Sequence, residues 1–367
     1  MEAKPVIAVL TYLTSPYQVE LFNATHAEAL CELRVIYLYS RGQNRSWGPR
    51  TITHPHLVVE DDPAKSHAAA ETIEQADLAV FNFYNHSLAS ELMRNRACSR
   101  RAWCFWGERP GFRSSGWIGR LYRRWRLAPL HRTRAPIWGI GRFALQQYEQ
   151  EFGCGRKFFN VPYYSDLSRF EYKHRDGRVS SGTTTFLFSG SLIRRKGVDL
   201  LAVAFARLAA EQPGVRLRFL GEGVLRTELE QRLRPLAERV EFVGFRDWDD
   251  LPAEYSKGDV LCVPSRYDGW GMIVPEGLAA GLPVIATERT GAALDLVEPG
   301  RNGWLIPAED AESLYRALRE AARLPESEWS AYSAAATARC ERHSLATGAR
   351  NFQQSAVAVL REWRGSA

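Results

Sequence analysis

One glycine-rich segment in the last third of the chain constrains the fold most, because short apolar runs flank its loop. The runs 259–264 and 282–286 have the length and composition of buried parallel strands. Between them, Gly269 and Gly271 allow a tight loop, and a short helix is expected to begin near Met272. The order strand, loop, helix, strand predicts a parallel sheet of an α/β protein.

The same loop is suited to a phosphate group. Free N–H groups of Gly271, Met272 and Ile273 and the positive end of the helix dipole point to one place. Two carboxylates flank that place, Asp268 in the loop and Glu276 in the helix. Because like charges repel, these two are expected to accept hydrogen bonds from sugar hydroxyls. The alternative is an ordinary turn in which Asp268 caps the helix.

A second loop with related chemistry follows the strand predicted at 185–189. Gly190 opens this loop, and Arg195 and Lys196 stand near its end. A planar guanidinium and a compact ammonium are suitable donors for a diphosphate at the carboxyl end of a strand. The alternative is a helix N-terminal loop whose Arg and Lys side chains are solvated.

Both loops resemble motifs of the retaining glycosyltransferase family four, whose members have the GT-B fold. The first resembles the family's acidic-x-seven-Glu signature, with Asp268 where the family usually carries Glu. The second resembles its donor-phosphate motif, with Ser191 where many members carry Arg. The resemblance implies an α/β chain of two doubly wound Rossmann-like domains facing a cleft. It also implies glycosyl transfer from a nucleoside-diphosphate sugar with retention of anomeric configuration.

The resemblance implies roles for residues of the second domain. Arg195 and Lys196 would stabilise charge on the leaving diphosphate. Glu276 would hold the ribose hydroxyls, and Asp268 would contact the donor sugar. Further donor-binding candidates are Gly190, Gly269, Trp270, Gly271, Met272, Ile273, Phe245 and Arg246. Phe245 and Arg246 are assigned to the side of the nucleotide base, and the alternative for them is ordinary loop packing.

No cofactor and no metal are implied besides the sugar nucleotide itself. The stretch from Asp247 to Asp249 has the Asp-x-Asp form of the metal–diphosphate pair in another glycosyltransferase fold. It stands before Asp250 and a short predicted helix, so helix capping is the better interpretation. The six cysteines are scattered without metal-ligand spacing, which favours reduced thiols in a cytosol-like compartment.

The N-terminal half is predicted to bind the acceptor. Strands at 5–11 and 33–39 flank a helix, and the chain lacks a Gly-x-Gly-x-x-Gly dinucleotide motif after the first strand. In the loop after that strand, Pro16 and Tyr17 either contact the acceptor or only shape a turn.

Two further acceptor-side candidates follow the next predicted strands, 77–82 and 102–106. The family resembled carries a polar residue near these strand ends that helps to place the acceptor, and this chain offers His86 and Glu108. Glu108 is a candidate general base or acceptor-orienting group. The alternatives are a structural ion pair of Glu108 with Arg109 or a neighbouring arginine, and a surface or helix-capping role for His86.

An arginine-rich segment, residues 94–134, holds twelve arginines and one acidic residue. It contains a predicted basic amphipathic helix with Trp117, Leu121 and Trp125 along one side. Such a helix can lie in a membrane interface and attract anionic lipid. The alternative is a solvated helix whose aromatic side chains pack inward. Nucleic-acid binding is disfavoured because no recognised module surrounds the patch.

A length of 367 residues favours two domains. We expect an acceptor domain over 1–175, a polar linker near 172–185, a donor domain over 183–345 and a closing helix over 346–367 that crosses back to the first domain. No secretory signal and no membrane-spanning apolar run is visible, so a cytoplasmic enzyme, peripheral on the membrane, is expected.

The acceptor would be a saccharide or a lipid-linked molecule of cell-surface polysaccharide or glycoconjugate biosynthesis. Other functions stay open at this point. A sugar-nucleotide epimerase or a phosphorylase shares the implied architecture. A non-catalytic sugar-nucleotide-binding protein is also possible, since Asp268 and Ser191 depart from the family pattern.

Overall fold

A computed structural model gives the fold and describes residues 4–41, 51–110, 116–171 and 182–365. The chain divides into two compact units. The first comprises Met1–Asp166 and Ser344–Ala367, and the second comprises Leu167–His343. The division after Asp166 falls before the boundary predicted at residue 175. Most of the predicted linker, residues 172–181, lies outside the described residues.

In the first unit, the described residues form a seven-stranded parallel sheet of order β3-β2-β1-β4-β5-β6-β7. The strands are β1 (Val6–Leu13), β2 (Glu32–Tyr39), β3 (His56–Val58), β4 (Leu78–Phe81), β5 (Trp103–Gly107), β6 (Ile137–Gly139) and β7 (Phe158–Asn160). The helices that alternate with them are α1 (Pro16–Ala27), α2 (Pro63–Gln75), α3 (Ser87–Cys98), α4 (Trp117–Arg126), α5 (Ala128–Arg132) and α6 (Arg142–Phe152).

In the second unit, the described residues form a six-stranded parallel sheet of order β10-β9-β8-β11-β12-β13. The strands are β8 (Thr184–Ser189), β9 (Val215–Leu220), β10 (Val240–Gly244), β11 (Val260–Val263), β12 (Val284–Thr287) and β13 (Gly303–Ile306). The helices are α7 (Val198–Glu211), α8 (Arg226–Leu233), α9 (Leu251–Tyr255), α10 (Ile273–Ala279), α11 (Gly291–Leu296), α12 (Ala311–Arg323) and α13 (Glu326–Glu341).

The strands form where the sequence has short, continuous apolar runs. Every residue of β5, β11 and β12 is buried. A parallel sheet with helices packed on its faces requires such strands, because neither side of the sheet faces water. The two doubly wound sheets confirm the predicted fold class of two Rossmann-like domains.

The last helix, α14 (Leu345–Gly365), belongs to the first unit and packs on α1. The ring of Phe352 lies 6.0 Å from the ring of Phe22. The buried Gln353 donates through Nε2 to the backbone oxygen of Thr25 at 2.8 Å. The end of the chain is therefore part of the core of the first unit.

No helix in the described ranges has both the length and the apolar composition to cross a bilayer.

In each unit the strand order reverses beside the first strand. β1 lies between β2 and β4, and β8 lies between β9 and β11. At such a reversal the loops that leave two neighbouring strands diverge, and a crevice opens at their carboxyl ends. The two anion loops predicted from the sequence follow β8 and β11, so the topology brings them together at the reversal in the second unit.

Candidate functional site

Hydrogen bonds join the loop after β8 to the loop after β11. Lys196 Nζ lies 2.5 Å from Asp268 Oδ2. Arg195 Nη1 donates to the backbone oxygen of Tyr267 at 2.9 Å. In return, the backbone N–H of Arg266 donates to the oxygen of Arg195 at 2.9 Å. Both predicted cations therefore reach the glycine-rich loop, as a shared anion site requires.

The Lys196–Asp268 pair is partly shielded from water. The two side chains are 13% and 14% exposed. Solvent and salt screen such a pair less than they screen charges on an open surface. A phosphate beside Lys196 would share its ammonium with Asp268 and add a second hydrogen-bond acceptor to it. The pair can therefore hold the lysine in place while leaving donors for a ligand.

Gly271 allows the loop to pass close to Asp268. Its φ is +90°, a left-handed conformation that favours glycine. An added Cβ would lie 2.9 Å from Thr290 Cγ2 and 3.4 Å from Asp268 Cγ. Any other residue at this position would be strained at this φ, and its Cβ would crowd the methyl group of Thr290.

The other predicted loop residues differ in their exposure to solvent. Gly190, which has a φ of +136°, is half-buried, as are Met272 and Ile273 at the start of α10. Gly269 is buried, and so is the indole of Trp270, whose ring centroid lies 5.8 Å from that of His343. The side chain of Trp270 thus packs inside the second unit and supports the loop.

Glu276 is held by a tyrosine on a neighbouring helix. It lies buried in α10, and Tyr255 of α9 donates its hydroxyl to Glu276 Oε2 at 2.8 Å. Burial raises the pKa of Tyr255 well above its usual range, and the charge of Glu276 raises it further. Tyr255 therefore stays protonated and fixes the carboxylate at the first turn of α10, beside the loop. A role in binding ribose stays a prediction.

The sequence did not reveal the residue that ties the two loops together, Arg266. Its Nη1 and Nη2 donate to the two carboxylate oxygens of Asp199 at 2.6 and 2.7 Å. Nη1 also donates to the backbone oxygen of Arg194 at 2.5 Å. Burial alone would raise the pKa of Asp199, but the hydrogen bonds and charge of Arg266 outweigh it and hold this pKa below its usual value. This fork fixes the turn 194–196 against the second loop.

The Asp199→Asn variant is expected to lose about 2 kcal/mol of unfolding free energy at pH 7, because one partner of a partly buried ion pair is removed. Since the pKa of Asp199 is depressed in the folded state, its contribution is complete above the unfolded pKa of about 4. It is lost as pH falls through the folded pKa. Urea unfolding of both proteins from pH 7 to pH 3 should show the difference shrinking below about pH 4.

The exposed Asp247 offers a matched control, since Asp247→Asn removes the same charge from the same unit. It should change stability little at either pH. A deficit of Asp199→Asn that stays the same at low pH would contradict the assignment of its stabilising effect to charge.

The predicted base-side residues lie at the sheet edge. Phe245 and Arg246 follow β10, which β9 separates from β8. Both are exposed, and Arg246 Nη1 donates to the backbone oxygen of Phe245 at 3.0 Å. Helix α9 begins after Asp250, and this N-cap makes no side-chain capping bond, so the capping predicted for this stretch is not formed by Asp250. Within the described ranges, no three His, Cys, Asp or Glu side chains come together in a metal-binding arrangement.

In the first unit, the acceptor-side candidates follow three adjacent strands. Pro16 is buried as the first residue of α1 after β1, and Tyr17 is half-buried. The ring of Tyr17 lies 4.7 Å from that of Tyr163. Burial raises the pKa of Tyr163 well above its usual range, and the charge of Glu108, which follows β5, raises it further. Tyr163 thus lies beside both Tyr17 and Glu108, a link that the sequence did not reveal.

His86 follows β4 and occupies the N-cap position of α3, where its side chain makes no capping bond. Instead its Nε2 lies 3.2 Å from the Tyr39 hydroxyl and 3.3 Å from Asp61 Oδ1. The helix-capping alternative for His86 is therefore not supported. The imidazole is oriented by two polar groups at the same edge of the sheet.

Most of the second unit matches a known protein family. Residues 183–323 match the family model described as "Glycosyl transferases group 1". A Salmonella typhimurium protein whose name refers to a colanic acid biosynthesis glycosyltransferase, WcaL, is 30% identical over 171 residues, which are 43% of this chain and 40% of that protein. A GDP-mannose-dependent mannosyltransferase of Corynebacterium glutamicum, which acts on a monoacylated phosphatidylinositol monomannoside, is 24% identical over 284 residues. That match covers 73% of this chain and 74% of the relative.

Solved structures show the same fold over nearly the whole chain. Sucrose-phosphate synthase from Thermosynechococcus elongatus superposes with a TM-score of 0.75 at 18% identity, covering 99% of this chain and all of that structure. HepE of Anabaena in complex with UDP-glucose gives a TM-score of 0.74 at 17% identity, covering 96% of this chain and all of HepE. These matches confirm the predicted GT-B fold.

Proposed function

We propose that this chain moves a sugar from a nucleoside-diphosphate sugar to an acceptor. The premise is that its second unit belongs to the group 1 glycosyltransferases. The match agrees with the glycosyltransferase family predicted from the sequence and supports the predicted enzyme class. It covers residues 183–323, and the chain spans only 40% of WcaL. The donor, the acceptor and the stereochemical course are therefore our proposal.

One observation carries the proposal. Lys196 and Arg195 leave one loop and reach Asp268 and the backbone of Tyr267 on the other, at the point where the strand order reverses. A diphosphate has two adjacent charged groups, and this corner offers an ammonium, a guanidinium and a glycine-bordered loop. HepE, which shares the fold, was solved with UDP-glucose, and this supports the assignment of a sugar nucleotide.

The proposed reaction breaks the bond between the anomeric carbon of the donor and the β-phosphate oxygen. A new bond forms between that carbon and an acceptor hydroxyl oxygen, on the same face of the sugar, and the hydroxyl proton is released. Negative charge grows on the leaving diphosphate, where Arg195 and Lys196 would stabilise it as fixed cations. We propose that these cations serve in place of a divalent metal. Glu276 would hold the ribose and Asp268 the donor sugar.

We assign the acceptor to the first unit. Pro16 and Tyr17, His86, and Glu108 follow β1, β4 and β5, which are neighbours in the sheet. Ligands of open parallel sheets bind at such carboxyl ends. Glu108 would orient the acceptor hydroxyl or accept its proton. A saccharide or lipid-linked acceptor fits the names of the relatives, which refer to colanic acid biosynthesis and to a phosphatidylinositol monomannoside.

The first test is thermal unfolding in the presence of UDP, GDP and ADP, followed by their sugar derivatives. A ligand that binds only the folded state raises the melting temperature, and at 100 times Kd the stabilisation is about 2.7 kcal/mol. The nucleotide that binds then identifies the donor for transfer assays with sugar and lipid-linked acceptors. NMR of the product gives its anomeric configuration, and excess EDTA tests the proposed independence from metal.

The outcomes separate the proposal from its competitors. Release of nucleoside diphosphate only when acceptor is present supports a transferase and argues against an epimerase or a phosphorylase. Measurable donor hydrolysis excludes a purely binding protein. An inverted product would contradict the proposed retention, and loss of activity in EDTA would contradict the proposed role of the two cations. Absence of any shift with all three nucleotides would contradict the donor site itself.

A further inference from the structure

Helix α4 turns five large apolar side chains toward solvent. They are Trp117 (66% exposed), Ile118 (65%), Leu121 (57%), Tyr122 (44%) and Trp125 (69%), and we call them the α4 patch. They make up half of the ten large exposed apolar side chains in the described part of the chain. Single exposed apolar residues are ordinary, whereas a continuous set on one helix indicates a binding surface.

The opposite face of α4 carries a buried arginine. At 100° per residue, Arg123 points away from the centre of the α4 patch. Arg123 is buried, and its Nη2 lies 2.7 Å from Glu151 Oε2 while Nε lies 3.0 Å from the same atom. A helix of a soluble protein normally turns its apolar stripe inward. Here the polar residue faces the protein and the apolar stripe faces outward, so the inward-packing alternative from the sequence is wrong.

The ion pair also fixes the helix in this orientation. Rolling α4 to bury Trp117 and Trp125 would expose Arg123 and leave the partly buried Glu151 without this partner, which is unfavourable. Arg126, at the end of the helix, adds a second anchor through the hydrogen bond of its Nη2 to the backbone oxygen of Tyr84 at 2.8 Å. The outward apolar face is therefore built into the first unit.

The positive charge around the α4 patch indicates what binds to it. Arg120 and Arg124 flank the α4 patch and are exposed. Between Glu108 and Glu149 the sequence contains no acidic residue. A second copy of the same face would bring like charges together, which opposes self-association. A surface that is apolar within and negatively charged at its edge complements both features, as a bilayer with anionic lipid does.

We propose that α4 docks this chain on a membrane surface that contains anionic lipid. The helix lies along the interface, with Trp117, Leu121 and Trp125 at the boundary between headgroups and acyl chains. Arg120 and Arg124 contact the lipid phosphates. Docking of this kind does not depend on the transfer reaction, so its test and the donor tests can fail separately.

The test is co-sedimentation of the full chain with vesicles of phosphatidylcholine, with and without phosphatidylglycerol. The wild-type protein should pellet with the anionic vesicles at low salt, and less at high salt because salt screens the arginines. The Leu121→Ser, Trp125→Ser variant should bind at least tenfold more weakly. The Arg120→Gln, Arg124→Gln variant should lose its preference for phosphatidylglycerol. All substituted side chains are exposed, so folding should be preserved, which circular dichroism checks.

Leu30 provides a matched control. It is 62% exposed in the same unit, outside the α4 patch, so Leu30→Ser removes as much apolar surface as Leu121→Ser. Leu30→Ser should bind vesicles as the wild-type protein does, while Leu121→Ser should bind more weakly. Equal binding by these two variants would overturn the proposal.

A spectroscopic readout locates the helix directly. Brominated phosphatidylcholine in the vesicles should quench the fluorescence of Trp117 and Trp125. In the Trp117→Phe, Trp125→Phe variant the apolar face is kept, so binding should persist while most of the quenching is lost. Failure of the wild-type protein to pellet, combined with a concentration-dependent dimer that Trp125→Ser abolishes, would assign the α4 patch to a second copy and overturn membrane docking.

Discussion

The Arg195→Ala, Lys196→Ala variant is expected to lose at least about 1,000-fold in turnover with the identified sugar nucleotide. The physical reason is that both fixed cations would then be absent when charge develops on the leaving diphosphate. The loss has a second component, since Lys196 lies 2.5 Å from Asp268. Without the lysine, the partly buried carboxylate of Asp268 is left uncompensated and repels an incoming diphosphate.

The measurement is single-turnover release of nucleoside diphosphate, together with the melting-temperature shift caused by the nucleoside diphosphate alone. The exposed Arg216 at the start of β9 offers a control, and Arg216→Ala should leave both readings unchanged. Turnover of the double variant close to that of the wild-type protein would contradict the assignment of the anion site.

The Asp268→Asn variant distinguishes a role of Asp268 in binding the diphosphate from a role in binding the donor sugar. Asparagine removes the negative charge beside Lys196 and keeps a hydrogen-bonding side chain. The nucleoside diphosphate alone should therefore stabilise this variant at least as much as the wild-type protein, while transfer of the sugar should fall. Weaker binding of the diphosphate by Asp268→Asn would show that Asp268 supports the phosphate site and does not serve the sugar.

The sequence predicted the strands better than the helices. β5, β8 and β11 lie within one or two residues of the predicted runs, because a buried parallel strand is marked by a short continuous apolar stretch. The helices α2 and α13 were not predicted. Both are rich in alanine, and α13 also in serine, so no apolar stripe marks the side that packs. The three-residue strand β3 is too short to show any alternation.

The sequence predicted the residues of the candidate site that lie in short motifs, but it did not predict the contacts between residues far apart in the chain. Gly271, Arg195 and Lys196 each belong to a short string whose chemistry points to a phosphate. Arg266 and Asp199 stand 67 residues apart, and each alone has the properties of a solvated side chain. Only the adjacency of β8 and β11 brings this arginine to that carboxylate.

Helix α4 shows a further limit of pattern analysis. Periodicity located the stripe of Trp117, Leu121 and Trp125 correctly, but a stripe does not say whether it faces the protein or the solvent. The Arg123–Glu151 ion pair decides this, across 28 residues of sequence. The same applies to Trp270, whose neighbours in the string suggested ligand contact although its indole packs inside the unit.

Gly197→Ala is expected to cost about 4 kcal/mol of unfolding free energy, an unusually large effect for the addition of one methyl group. Gly197 ends the turn that carries Arg195 and Lys196, and its φ is +72°. An added Cβ would lie 1.9 Å from the backbone oxygen of Pro264, at the beginning of the other loop. Backbone atoms at that distance cannot be relieved by a rotamer change, so the two loops must separate.

A second glycine isolates the effect of this close approach. Gly300 has nearly the same φ, +77°, and an added Cβ there would meet no atom within 4 Å. Gly300→Ala should therefore cost only the left-handed strain of about 1 kcal/mol, and it should keep the full melting-temperature shift with the nucleoside diphosphate. Gly197→Ala should lose that shift as well, because parting the loops moves Lys196 away from Asp268. Urea unfolding gives the loss of unfolding free energy in each variant, and thermal unfolding gives the melting-temperature shift with the nucleoside diphosphate. If both quantities were equal in the two variants, the contact of Gly197 with Pro264 would not hold the site together.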